Sequence, residues 1–199
     1  MTDLIVHVID DDEGMRTSLQ FLLETAGLES ATYASAAEFL ASAPTRGCLV
    51  TDVRMPDMNG IELIEALKAR RSAMPAVVIT GHGDIPMAVA AMKAGAVDFL
   101  EKPFDDDALL RAITSAVAGR AGGVDEAERG RILDMLEGLS PREVDVLRGL
   151  IGGGSNKTIA IDLGISPRTV EIYRANVMLK TGAGSLAELV RMSMIVGFA

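Results

Sequence analysis

The stretch Val50-Thr51-Asp52-Val53-Arg54-Met55-Pro56-Asp57-Met58-Asn59-Gly60 decides the fold: an apolar run reaches an aspartate and then breaks into a loop marked by Pro56, Asn59 and Gly60. The run entering it, residues 48–51, has counterparts at residues 4–9, 76–79 and 97–100. All are short and rich in Val, Ile or Leu, as strands buried on both faces should be. The intervening stretches carry helical period, so the pattern is alternating strand and helix with a parallel sheet. Asp11, Asp52, Thr80 and Lys102 stand one or two positions beyond these runs. Ligands of open parallel sheets collect at the carboxyl ends of the strands, so the four residues are expected to converge.

The chain has 199 residues, comfortable for two domains. With 49% hydrophobic and 24% charged residues it is an ordinary globular protein rather than a disordered one. The lone Cys48 falls in a core strand, which excludes a disulfide framework and fits a reducing compartment. No window approaches the roughly 18 apolar residues of a membrane span, and a cytoplasmic protein with no membrane partner is expected.

After Lys102-Pro103-Phe104 an apolar stripe of Leu109, Leu110, Ile113 and Val117 marks a further helix, which ends at Gly119-Arg-Ala-Gly-Gly123. The pattern then changes class. Residues 1–120 are read as one domain, 121–138 as a linker that turns helical through residues 132–136, and 139–199 as an all-helical domain. Residues 1–120 hold 18 acidic and 10 basic side chains, whereas residues 139–199 hold 5 and 7. The last module is thus locally positive on a protein of net charge −9. Such an acidic whole weakens non-specific nucleic-acid binding, so any binding must be local and conditional.

Asp10-Asp11-Asp12 follow the first strand, and residues 13–26 read as a helix. By itself the triple acid fits a helix N-terminus enriched for dipole reasons. Asp52 on the same rim changes the reading, because gathered carboxylates without a basic partner repel one another unless a hard divalent cation such as Mg²⁺ holds them. Lys102 supplies a point charge, and Thr80 a hydroxyl, for phosphate oxygens. Carboxylate nucleophile, Mg²⁺ and Lys⁺ suit phosphoryl transfer, with Asp52 the acceptor. No general base is required, since an ionised carboxylate is already nucleophilic.

The set Ile9-Asp10-Asp11, Thr51-Asp52-Val-Arg-Met-Pro56, Ile79-Thr80-Gly81 and Glu101-Lys102-Pro103-Phe104 resembles the receiver domain of bacterial two-component response regulators. Ile79-Thr-Gly-His-Gly-Asp84 and Met92-Lys-Ala-Gly-Ala-Val-Asp-Phe99 are similar to the FixJ type in particular. The resemblance implies a flavodoxin-like, doubly wound five-stranded parallel sheet of order 2-1-3-4-5. It implies that Asp10 and Asp11 bind Mg²⁺ with Asp52 and the Arg54 carbonyl, Asp11 being the first choice for direct ligation, while Asp12 leaves the register open. It also implies a switch in which phospho-Asp52 draws Thr80 inward and Phe99 fills the vacated space, although plain core packing also accounts for Phe99. His82 is read as a surface loop residue and His7 as structural.

In the last module Ser140-Pro141-Arg142-Glu143 and Ser185-Leu-Ala-Glu188 read as capping boxes, and Ser166-Pro167 as another helix start. Helices are expected over residues 142–150, 156–163, 167–180 and 186–196, the middle two joined by Gly164-Ile165-Ser166, a helix-turn-helix spacing. Residues 155–160 and 166–176 resemble the NarL/LuxR-class DNA-binding domain found behind FixJ-type receivers. Val170, Val177 and Tyr173 point to the core. Arg168, Glu171, Ile172 and Ala175 are expected at bases, and Asn156, Lys157, Thr169, Arg174 and Lys180 at phosphates. Leu186, Leu189, Val190, Met194 and Ile195 serve either a dimer surface or the bundle core. Gly152-Gly153-Gly154 leaves the orientation of its loop open.

The resulting expectation is a non-enzymatic transcription factor. A sensor histidine kinase phosphorylates Asp52, and the phosphorylated homodimer binds double-stranded promoter DNA, with RNA polymerase a candidate partner. Resemblance to the FixJ type implies activation of nitrogen-fixation genes. Two alternatives are an Mg²⁺-dependent phosphohydrolase with a helical appendage and a receiver with a protein- or RNA-binding output. The first is disfavoured because Arg54 stands where a second acid would be needed.

Overall fold

A computed structural model describes residues 4–81, 85–119 and 126–198. His82, Arg120 and the linker residues 121–125 lie outside them. The chain divides into two compact units, Met1–Gly83 with Lys93–Ala121, and Asp84–Met92 with Gly122–Ala199.

The elements in chain order are β1 (Ile5–Ile9), α1 (Glu13–Thr25), β2 (Glu29–Tyr33), α2 (Ala36–Ser42), β3 (Cys48–Asp52), α3 (Gly60–Ala69), β4 (Ala76–Thr80), α4 (Ile85–Ala94), β5 (Asp98–Glu101) and α5 (Asp106–Ala118). The five strands form one sheet of order β2-β1-β3-β4-β5, parallel throughout. The implied fold is present. The strand the apolar pattern misses is β2, whose sequence Glu-Ser-Ala-Thr-Tyr is polar and half-buried because it lies at an edge of the sheet. The central strands β3 and β4 are buried at every residue. Val6, Val8, Cys48, Val50, Val77 and Ile79 pack with Leu19 and Leu23 of α1 and Leu109 and Ile113 of α5 in one core.

Strand ends differ from expectation by one residue, with a consequence for the site. Asp52 and Thr80 do not stand beyond their strands but end them, Asp52 in register with Ile79 and Thr80 with Glu101. Ladder hydrogen bonds thus extend to both residues and fix where their side chains start. His7 is buried, with Nε2 3.0 Å from the Arg46 carbonyl and Nδ1 3.2 Å from the Tyr33 hydroxyl, a structural histidine.

The helices of the second half are α6 (Glu126–Glu137), α7 (Pro141–Ile151), α8 (Asn156–Leu163), α9 (Pro167–Thr181) and α10 (Leu186–Val196). The helical part of the linker is therefore longer than its apolar positions indicate. The first capping box is complete: the Ser140 N–H donates to Glu143 Oε2 at 2.7 Å, and the Glu143 N–H to Ser140 Oγ. The second is half formed, because Glu188 accepts from the Gly184 N–H rather than from Ser185. The triple glycine is well placed. The Gly152, Gly153 and Gly154 N–H groups close the end of α7, and a Cβ on Gly154 would lie 3.0 Å from Ile159. Leu189 and Val190 of α10 are buried and belong to the bundle core, while Met194 is 48% exposed. Among the described residues no helix is long and apolar enough to cross a membrane.

Candidate functional site

Asp52 is brought to the carboxyl edge of the sheet by β3 and held there by the start of α3. The Gly60 N–H donates to the Val53 carbonyl at 3.1 Å, and a Cβ on Gly60 would lie 2.2 Å from the Asp52 carbonyl oxygen. Only glycine allows α3 to begin so close behind β3. Asn59 caps the helix through its side chain, with Glu62 completing the box.

The side chain of Asp52 is almost fully buried. Oδ2 accepts from the Arg54 N–H at 2.5 Å and Oδ1 from Lys102 Nζ at 2.7 Å. The same ammonium donates to Asp10 Oδ2 at 2.7 Å, and Asp10 Oδ1 accepts from the Asp12 N–H at 2.9 Å. One lysine therefore bridges the carboxylate just after β1 and the one that ends β3. Burial alone would push the Lys102 pKa down, but hydrogen bonds and charge from Asp10 and Asp52 outweigh it and hold the pKa above its ordinary 10.5. Thr80 is fully buried at the end of β4, and its carbonyl accepts from the Lys102 N–H at 2.7 Å, fixing the residue that carries the ammonium. Phe99, on β5 opposite Val78, is packed inward.

The three adjacent aspartates separate by role. Asp10 is buried in the site, Asp11 is exposed, and Asp12 caps α1 by accepting from the Met15 N–H at 2.9 Å. Asp12 thus starts the helix, while Asp10 pairs with the lysine that also contacts Asp52. Arg16 is a residue the sequence reading missed: its Nη1 donates to the carbonyls of Asp10, at 2.7 Å, and Asp11, at 3.1 Å, and braces the loop. No spacing rule signals a long side chain reaching back to carbonyls.

No three His, Cys, Asp or Glu side chains among the described residues gather as a metal cluster. Mg²⁺ does not require that, because it binds through one or two carboxylates and retains several waters. Buried Asp10 and Asp52, with the Arg54 backbone alongside, fit that requirement.

In the second unit Ser166 Oγ accepts from the Thr169 N–H at 3.1 Å and starts α9. Gly164, at φ 65°, ends α8. Val170 and Val177 are fully buried and Tyr173 half-buried. Arg168, Glu171, Ile172 and Ala175 are exposed on α9, as is Lys157 on α8; Asn156, Thr169 and Arg174 are half-buried. Leu179, 81% exposed, extends the stripe of Arg168, Ile172 and Ala175 by one turn and was not anticipated. Lys180 differs from expectation. Its ammonium lies 2.7 Å from buried Glu143 Oε2, so it has a partner within the protein.

Residues 6–114 match the response regulator receiver domain, and residues 137–193 the luxR family of bacterial regulatory proteins. The chain belongs to the response regulators, with a receiver domain and a luxR-type DNA-binding domain. Within that class it is similar to the transcriptional regulatory protein FixJ of Azorhizobium caulinodans, 56% identical over 98% of this chain and 94% of that protein. FixJ of Rhizobium meliloti is 52% identical over 100% and 98%. The crystal structure of full-length FixJ from B. japonicum is 48% identical, covers 100% of both chains and superposes with a TM-score of 0.57. These relatives are transcriptional regulators, and receiver domains generally bind Mg²⁺ at their phosphorylation site. A receiver implies a sensor kinase partner, and a luxR-type domain implies DNA binding. The phosphohydrolase and the protein- or RNA-binding alternatives are not favoured.

Proposed function

We propose that Asp52 accepts a phosphoryl group from a sensor histidine kinase, and that this charge controls dimerisation and promoter binding by the helical domain. The receiver is taken as residues 1–120, the linker as 121–138 and the output as 139–199. The observation that carries this reading is the Lys102 ammonium bridging Asp10 and Asp52 at 2.7 Å each. In the transfer a carboxylate oxygen of Asp52 forms the new bond to phosphorus as the bond to the donor imidazole nitrogen breaks; the donor ring, protonated on its other nitrogen, takes the electron pair of the broken bond and leaves as neutral imidazole on the kinase.

Lys102 then pairs with a phosphoryl oxygen, and the Arg54 N–H holds the carboxylate in place. Asp10, with Asp52, the Arg54 carbonyl and adjacent Asp11, would hold Mg²⁺. The ion supplies neutralisation of the charge shared between carboxylate and phosphoryl group. Thr80 meets another phosphoryl oxygen, and Phe99 is the packed side chain that repacks around it, a choice between two arrangements.

An apolar groove of about 700 Å³ runs along α1 to Lys102, lined by Met15, Phe21, Leu22, Pro103 and Phe104. Phe21 is 72% exposed there, and a helix of the kinase seated in the groove would bring its phosphohistidine to Asp52. On α9, Arg168, Glu171, Ile172 and Ala175 face bases, while Asn156, Lys157, Thr169 and Arg174 grip phosphates. Two copies read a two-fold site and contact RNA polymerase; nitrogen-fixation genes are the expected targets.

The test compares the wild-type chain with Asp52→Asn, each treated with acetyl phosphate and Mg²⁺. Wild type gains one phosphoryl group by intact mass, dimerises and binds duplex more tightly. Asp52→Asn does none of these. Equal responses in the two proteins would defeat the reading.

A further inference from the structure

Three elements of the second unit meet at one ion pair. Glu143 is the third residue of α7, and its side chain is 5% exposed. Its Oε2 accepts from the Ser140 N–H at the start of α7 and from Lys180 Nζ near the end of α9, both at 2.7 Å. The same ammonium lies 3.4 Å from the Gly138 carbonyl, just beyond α6. Helix α6 also packs on α9 and α10. Lys180 thus joins the end of α6, the start of α7 and the end of α9.

A buried carboxylate needs a cation or several donors. Glu143 has the Ser140 N–H and Lys180, and replacing the lysine would leave its charge undercompensated inside the bundle. Conversely, a lysine neutralised at 2.7 Å by a buried acid has little charge left for a DNA phosphate. Phosphate contacts release counterions and steepen the salt dependence of binding, whereas an internally paired lysine does not.

We propose that the Glu143–Lys180 pair is a clamp that sets the position of α9 relative to α6 and α7, and that Lys180 is a positioning residue for DNA binding rather than a phosphate contact. This rests on the reading of α9 as the DNA helix. It also gives α6, the helical part of the linker, a direct tether to α9, so a displacement of α6 is felt at the DNA surface.

The test uses full-length wild type, Lys180→Met, Lys180→Arg and the double variant Glu143→Gln with Lys180→Met. Affinity for a pool of random-sequence duplexes is measured against salt, and amide exchange at Ser140 is measured without DNA. Lys180→Met is expected to bind at least about fivefold more weakly at unchanged salt slope. Exchange at Ser140 rises, and Lys180→Arg restores both properties.

A salt slope lower by about 0.9 with Ser140 exchange unchanged would make Lys180 a phosphate contact and overturn the proposal. Unchanged affinity in Lys180→Met would do the same. Should Lys180→Met unfold, the double variant, which removes the buried charge along with its partner, gives the same two readouts. Absence of duplex binding by wild type would defeat the reading of α9 instead, and Ser140 exchange would then decide the clamp alone.

Discussion

Two lysines, Lys102 in the receiver and Lys180 in the output domain, each place an ammonium 2.7 Å from a buried carboxylate oxygen. Lys102 bridges two acids, one just after β1 and one at the end of β3, and is 18% exposed. Lys180 serves one acid that already accepts a backbone N–H, and it is 42% exposed. The difference lies in what else the carboxylates can bind. Asp10 and Asp52 stand at the carboxyl end of the sheet, where, on the function proposed above, a cation or phosphoryl group would take over the lysine's part. Glu143 is enclosed by its own helix start. On the two proposals above, the same contact is exchangeable in one domain and fixed in the other.

Replacing Lys102 by Met should break the comparison most severely. It leaves Asp10 and Asp52 facing each other without their shared cation, and the receiver should lose about 3 kcal/mol of stability at neutral pH. Added Mg²⁺ should restore much of it, as read by denaturant titration with and without the ion. An equal loss with and without Mg²⁺ would show that the lysine is as fixed as Lys180.

Next in size, Gly60→Ala must shift α3 away from the Asp52 carbonyl and should cost about 2 kcal/mol, while slowing phosphoryl uptake from acetyl phosphate. Thermal unfolding and the rate of mass gain measure the two effects.

Arg168→Ala sharpens the contrast on the DNA side. An unpaired cation on the groove face should weaken duplex binding by about tenfold and relax base preference at one position. Competition binding with single-base variants of a selected site checks both.

The smallest effects are on pH. Lys180 and the Ser140 N–H pull the Glu143 carboxyl from 4.5 to about 2. A depressed carboxylate stabilises above its ordinary value, so this contribution is whole above pH 4.5 and fades as pH falls toward 2. Lys102 is raised, so its contribution is whole below pH 10.5 and fades only above that value. Melting curves should show Glu143→Gln flattening the acid limb alone, and Lys102→Met flattening the alkaline limb.

Much of this was legible in the sequence because buried parallel strands are apolar on both faces, which exposes Asp52, Thr80 and Lys102 as polar residues at strand ends. The carboxylate that enters the pocket, Asp10, could not be told from its neighbours, since three identical side chains differ only in the direction the turn after β1 gives them. Arg16 and Gly60 act through backbone carbonyls, which no residue pattern reports. On α9 helical period sorted Val170 and Val177 from the exposed stripe. The pairing of Lys180 with Glu143 was hidden because its partner is 37 residues away in the chain. Strand β2 was hidden because its residues are polar.

That polarity has a use beyond the fold. An end strand offers a row of unpaired main-chain groups to any passing chain, and greasy side chains there would invite sheets to join into aggregates. With Glu29, Ser30 and Thr32 along β2, such stacking gains little from water expulsion. Pairing of copies along that border therefore brings little gain, which leaves room for the signal-dependent association proposed above.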